Sequence, residues 1–434
     1  MTSPNGQAMS LDAHSHPDLL DRKAAIVVFL AFAAAYFCST LVRAITATLS
    51  PVLTQEFALQ SRDLGLLAAG YFLGFAVIQL PLGKLLDRYG PKQVVLCFLS
   101  LAVVGCLTFS AASSFTGLLA SRVLLGIGVG ACLMAPLTGY RRWFQVPTQL
   151  RANSWMLMSG SLGMLSSTLP VQWLVPLTGW RPLFWILAFM ILLAMGALAW
   201  VVPTWRAGQH IPVGEKQSLP HGSGSPAGPG SYGEVWRSRY FRKMLPVAFF
   251  QYGGMVAMQT LWAGPWMIRV AGYTPLEAAT GLFYLNASML VAFWSWGLLN
   301  PGLARRGLSA ERLIARILPL SLVVLTFNIF AGSAVGWTGW ALFGVTSSVV
   351  GLAQPAVGMA FRASLASRAM AACNLGVFAG VFVVQWGIGL LIDAFVAEGL
   401  SQARSFQWAM GVYLCCCIAS YIYFISAKVH NPAQ

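Results

Sequence analysis

Twelve apolar stretches set the terms for this chain, near 24–50, 63–85, 93–112, 115–139, 152–176, 182–203, 244–268, 278–300, 313–332, 339–361, 369–393 and 406–427. Each holds about 20 or more residues, enough to cross a hydrocarbon layer of roughly 30 Å as a helix. In lipid an isolated backbone satisfies its own N–H and C=O groups only as a helix, so runs of this length predict helices. Composition agrees: 57% of the 434 residues are hydrophobic and 9% charged, against about 25% charged in ordinary globular domains. So few charges cannot cover a soluble surface of this size. Disordered, collagen-like and disulfide-framed secreted chains are excluded on the same grounds. The expected fold class is an all-α membrane protein, with twelve transmembrane helices in two six-helix bundles.

The formal charge of +15 would suggest nucleic acid in a soluble chain. Here the basic residues fall in short clusters between apolar runs, the pattern of cytoplasmic loops, so no nucleic-acid partner is expected. With the N-terminus inside, 21 of the 27 basic residues lie in inner segments, and only Arg62, Arg181, Arg269 and Arg404 in outer ones. That bias predicts a multi-pass protein of a cell inner membrane with both termini cytoplasmic. The remaining two, Arg43 and Arg122, sit inside apolar runs. Residues 1–23 are polar and the first apolar run is too long for a signal peptide, so no cleaved leader is expected. The eight cysteines show no metal-ligand spacing, and all five histidines lie in tails or loops. No metal, no cofactor and no histidine proton relay is therefore expected.

Five segments follow: a cytoplasmic tail (1–23), a first bundle (24–203), a linker (204–243), a second bundle (244–427) and a short cytoplasmic tail (428–434). Within the linker, His210–Tyr232 is rich in Gly, Pro and Ser and reads as a flexible tether. Val235–Lys243 interleaves aromatic and basic residues. It suits either a short interfacial helix or the basic lead-in to the seventh run. Both halves carry a basic, glycine-containing turn after their second run, GKLLDRYGPK (83–92) and GLLNPGLARRG (297–307), as expected of a duplicated bundle.

In the first of these turns, Gly83 and Gly90 allow close helix approach and a tight turn. Asp87 is suited to accept from helix-terminal N–H groups, and Arg88 and Lys92 hold the turn on the cytoplasmic side. The fourth run contains Arg122-Val-Leu-Leu-Gly126-Ile-Gly128-Val-Gly130, whose glycines thin one side of a helix for tight packing. These segments, with Gly179-Trp180-Arg181 before the sixth run, resemble signatures of the major facilitator superfamily, and the resemblance covers almost the whole chain. It implies two bundles with a substrate path between them, and conformational roles for Gly83, Asp87, Arg88, Gly90, Arg122 and Gly126. For Arg122 a direct substrate contact stays open beside the conformational role. The drug exporters of that family carry a Gly-x-x-x-Gly-Pro motif in the fifth run. Here the stretch from Gly160 to Pro170 has no Gly-Pro pair.

Arg43 is the most informative residue. Burying Arg mid-helix costs about 2.5–3.5 kcal/mol on insertion scales, so some interaction must offset it. One reading has it bonded to carbonyls or snorkelling outward. The other makes it a guanidinium fork for a carboxylate or phosphate. The segment from Leu41 to Gly70 is similar to the first-helix region of organic-anion and organophosphate transporters, where an Arg in a like setting meets the substrate anion. Phosphate-exchanging relatives carry a second Arg deep in the seventh run. This chain has Gln251, Tyr252 and Gln259 there instead, which favours a monocarboxylate or mixed polar anion. The candidate substrate-binding set is Arg43, Tyr36, Thr40, Tyr71, Gln259, Trp262, Asn374 and Gln385, and Thr46, Asn286, Gln354 and Trp386 are further mid-run residues suited to line the same cavity.

The expected function is secondary active transport of a small organic anion by alternating access, by exchange or export, and not enzymatic catalysis. The chain is expected to work as a monomer in the bilayer. Alternatives are an efflux pump for amphiphilic compounds, copper transport through Met255, Met258, Met267 and Met289, and a non-transporting sensor. No carboxylate lies mid-run to carry a coupled proton: Asp63, Asp87 and Asp393 all sit near run ends.

Overall fold

The computed structural model describes residues 19–204 and 232–427, so most of the expected tether lies outside the described residues. The described chain is helical almost throughout. Among the described residues, ten helices are long and apolar enough to cross a membrane. Two further crossings expected from the sequence are present as interrupted helices, which accounts for the difference from twelve.

In the first half, α1 is Arg22–Phe57, started by the Asp21 carboxylate accepting from the Ala24 N–H at 3.0 Å. Ser61–Ala111 is one helical trace broken at Gly90, whose φ of 77° turns it back, giving α2 before the break and α3 after it. Next come α4 (Phe115–Trp143), α5 in two pieces (Val146–Ser166 and Leu169–Thr178) and α6 (Trp180–Val201). The break in α5 frees backbone groups in the apolar layer. The Thr48 hydroxyl of α1 meets one of them, donating to the Ser167 carbonyl at 2.7 Å.

The second half opens with the short helix Tyr232–Arg237. The segmented α7 runs from Arg239–Pro246 to Ala263–Arg269 and includes π turns at Val247–Tyr252 and Met258–Trp262. Then follow α8 (Pro275–Arg305), α9 (Ala310–Ala331), α10 (Trp337–Met359), α11 (Ala363–Ala397) and α12 (Gln402–Ser426). In the expected interfacial segment, Trp236 is exposed while Tyr240 and Phe241 are buried.

Large apolar side chains such as Trp200, Leu177 and Phe330 are 81–90% exposed. A soluble protein does not present such a belt, whereas lipid tails cover it. Packing inside depends on close approach at α2–α4, where a methyl group at Gly126 would run into the Tyr71 carbonyl. The halves meet chiefly along α2 and α11, with α1 against α7 and α5 against α8. One end of the molecule carries Lys84, Arg88, Lys92, Arg141, Arg142, Arg305 and Arg306 and is termed the basic end. The opposite, far end holds the start of α2 and the close of α11. There the Glu56 carboxylate accepts from Trp180 Nε1 (2.6 Å) and pairs with Arg181 (2.5 Å), tying α1 to α6. At the basic end, Met134–Trp143 and Ala353–Met359 make their substantial contacts within their own halves.

Candidate substrate site

A chamber of about 120 Å³ lies between the halves. Arg43 of α1 and Ser161 and Met164 of α5 line one side; Tyr252, Met255 and Gln259 of α7 with Asn286 and Phe293 of α8 line the other. Among the described residues, no acidic side chain lines it. Arg43 lies over the Phe75 ring, 5.4 Å from its centroid, and Tyr36, Tyr71 and Tyr252 come close enough to interact with its charge. Its Nε is buried with no hydrogen-bond partner among the described residues. A cation–π contact recovers only part of what water or a carboxylate supplies, so the guanidinium retains unmet donors beside the chamber.

Opposite Arg43, Gln259 Nε2 donates to Asn286 Oδ1 at 2.8 Å, and Asn286 Nδ2 donates to the Leu282 carbonyl at 2.8 Å. This relay fixes both amides and leaves Gln259 one further N–H and its carbonyl oxygen. The π turn Met258–Trp262 places successive residues of α7 on different tasks. Gln259 faces the chamber, Thr260 accepts from Gln385 Nε2 at 2.9 Å, and Trp262 Nε1 donates to the Gln385 carbonyl at 3.1 Å.

Arg122 is only 1% exposed. Its Nη1 donates to the Val42 carbonyl at 2.9 Å, and its guanidinium lies 5.2 Å from the Tyr71 ring centroid. It therefore ties α4 to the backbone of the residue before Arg43.

Of the eight residues nominated from the sequence as substrate-binding, Arg43 and Gln259 line the chamber. Thr40 spends its hydroxyl on the carbonyls of Tyr36 and Phe37. Tyr36 is 7% exposed and packs against Gly160. Tyr71 is fully buried, its hydroxyl 3.4 Å from the Ser39 carbonyl. Gln385 is fully buried in its bonds to α7, and Asn374 is partly buried on α11 and lines neither cavity described here. Trp262 lines a second, far-end cavity of about 650 Å³, with Arg62, Arg269 and Asp393 in its walls. Asn286, one of the further mid-run polar residues, lines the chamber, as do Ser161 and Tyr252, which were outside the nominated set. Their polarity within apolar runs was the available signal. Asp87, Arg88 and Gly83 are exposed at the basic end, and Asp87 has no hydrogen bond among the described residues. A methyl group at Gly83 would meet nothing, whereas Gly90 makes the turn.

The chain is 24% identical over 247 residues to a probable sulfoacetate transporter of Cupriavidus necator, spanning 55% of this chain and 56% of that protein. To a probable L-galactonate transporter of Escherichia coli it is 23% identical over 415 residues, 88% of this chain and 84% of that protein. Matches to the first of the curated relatives thus span about half of their length or less. Among solved structures, a bacterial homologue of the human lysosomal transporter Spinster superposes with a TM-score of 0.75 at 16% identity, covering 94% of this chain and 98% of that one. The Major Facilitator Superfamily model matches residues 32–384. The chain therefore belongs to the major facilitator superfamily, a family of membrane transporters and not of enzymes.

Proposed function

We propose that this protein is a secondary transporter of a small organic anion, exposing the Arg43 chamber alternately at the two ends of the molecule. The observation that carries the reading is the unpartnered Nε of the Arg43 guanidinium beside a chamber with no acidic residue among its described lining residues. A buried cation whose donors are not all met is expensive, and a carboxylate or sulfonate from outside the chain supplies the missing acceptor. Gln259 offers further polar contacts, while Met255, Met289 and Phe293 suit the apolar body of such an anion. At about 120 Å³ the chamber is smaller than the roughly 300–1,000 Å³ of ordinary small-molecule sites, which favours a small substrate in this conformation. Two of the relatives described above carry names of organic-anion transporters.

On this reading the protein lies in a bacterial-type inner membrane with its basic end cytoplasmic, works as a monomer, and runs by anion exchange or export. A negative-inside potential opposes entry of a monoanion by about 2.3 kcal/mol per 100 mV, and the chamber lining offers no carboxylate to carry a compensating proton. In proteoliposomes with an imposed pH gradient and no internal counter-anion, uphill accumulation is expected to fail. Strong accumulation there contradicts exchange.

The first test is a thermal-shift screen of the purified chain with sulfoacetate, L-galactonate and simple monocarboxylates, beside cationic and neutral amphiphiles. A binding anion should raise Tm with saturable dose dependence, by about 2.7 kcal/mol of stabilisation at one hundred times its Kd. Stabilisation by amphiphilic cations alone would instead support an efflux pump.

A further inference from the structure

The seam between α2 and α11 is closed at one end by a carboxylate that the transport site does not use. The two helices run antiparallel, and each carries an aspartate near its C-terminal end: Asp87 before the Gly90 turn and Asp393 before Ala397. At the far end, Asp393 Oδ1 accepts from the Ser61 N–H at 3.0 Å and Oδ2 from the Arg62 N–H at 2.8 Å. The start of α2 is thereby capped from two sources. Asp63 in its own first turn takes the Gln60 N–H at 3.1 Å, and the opposite half takes the next two donors. The Arg62 side chain turns to Asp63 at 3.8 Å, so the Asp393 bonds are to backbone.

Glycines let the two backbones meet closely there. A methyl group at Gly389 would strike the Ser61 carbonyl, and one at Gly65 the Gln385 carbonyl. Phe72 and Phe75 continue the seam against Phe378. At the basic end the matching arrangement is unmade. Asp87 is exposed without a hydrogen bond among the described residues, and the start of α11 has no side-chain cap.

We propose that Asp393 is a clasp that holds the far end closed, a positioning residue for the transport cycle that acts by capping the N-terminus of α2 from the opposite half. Two charge-assisted bonds aligned with a helix N-terminus favour this conformation over any in which α2 and α11 separate at that end. The cap reaches across the path between the halves, so it must break whenever the far end opens. This inference rests on the movement of two halves proposed above and not on the substrate's identity.

The test uses the full chain in lipid nanodiscs with no added substrate. The exposed or partly exposed Cys97, Cys415 and Cys416 are replaced by Ser, and spin labels are placed at Thr178→Cys and Leu276→Cys, on far-end segments that meet across the halves. Electron–electron distance measurement then reads the short (closed) and long (open) populations. Asp393→Asn should raise the open-to-closed ratio by roughly tenfold, the equivalent of one lost charge-assisted hydrogen bond. Asp393→Glu should restore part of the closed population. Gly389→Ala, which leaves Asp393 intact but pushes Ser61 away, should open the far end in the same way and serves where the Asn variant fails to fold. Unchanged distance populations in the folded variants overturn the clasp. That result leaves the anion reading standing, because no substrate enters the measurement.

Discussion

Arg43 and Arg122 are the same side chain in the same apolar layer, and their surroundings differ in one respect that separates their tasks. Arg122 is sealed in, with one nitrogen on the Val42 carbonyl and its plane against Tyr71. Arg43 leans on Phe75 and Tyr71 with its Nε unpartnered among the described residues, as are Nε and Nη2 of Arg122, but Arg43 alone of the two borders a chamber. Both pay for leaving water. The sealed one recovers part of that cost inside the protein and so braces α4 against α1. The open one has its remaining donors available to a visitor. The pair also shares Tyr71 as a neighbour, so the brace sits directly behind the binding group.

The comparison can be broken most forcefully at Arg43. Arg43→Ala should abolish anion-dependent transport in proteoliposomes while leaving expression and melting nearly unchanged. Retained transport in well-folded protein would remove Arg43 from the site. Next in size is Gly126→Val, which forces a side chain against the Tyr71 carbonyl and wedges α2 from α4. It should cost about 3 kcal/mol of stability, seen as a lower melting temperature. A neutral result would mean that the α2–α4 contact is not tight. Arg122→Met, smaller again, removes the bond to Val42 and should cost about 2 kcal/mol of stability with less than about a tenfold change in anion affinity. If it erases binding as fully as Arg43→Ala does, Arg122 is a ligand and the division of labour fails. Gln259→Leu sits last. It keeps the volume and loses the amide facing Arg43, so affinity should fall by about 1 kcal/mol, roughly fivefold, by titration calorimetry. No change would confine the site to the Arg43 side.

The helices and the turn at Gly90 were legible because they depend on local signals. Apolar runs of membrane-crossing length, and a glycine between Tyr89 and Pro91, are read along the chain. The segmentation of α5 and α7 was not legible, since the backbone groups freed there are satisfied by partners distant in sequence, such as Thr48 for Ser167. The same limit governs the site. Arg43 stood out because a charge in an apolar run needs a reason. Gln259 and Trp262 are three residues apart, which on a regular helix puts them on one face. The π turn between them sends one to the far-end cavity and the other to the chamber. Ser161 and Asn286 gave only weak signals, as a polar residue in an apolar helix more often bonds its own turn or a neighbour. Asp393 read as a displaced acid at a run end, and only the packing of α11 on α2 brings it to the backbone of residues 61 and 62.

Anion affinity as a function of the group at position 43 tests the central claim most directly. Equilibrium titration with sulfoacetate or L-galactonate, whichever stabilises the wild type, should be run on the intact chain, Arg43→Lys and Arg43→Ala under one buffer. Loss of a bidentate, charge-assisted contact predicts Arg43→Ala weaker by about 3 kcal/mol or more, over a hundredfold in Kd. Arg43→Lys should fall between the two, because a point charge replaces a planar fork. Equal Kd values across the three proteins contradict the account.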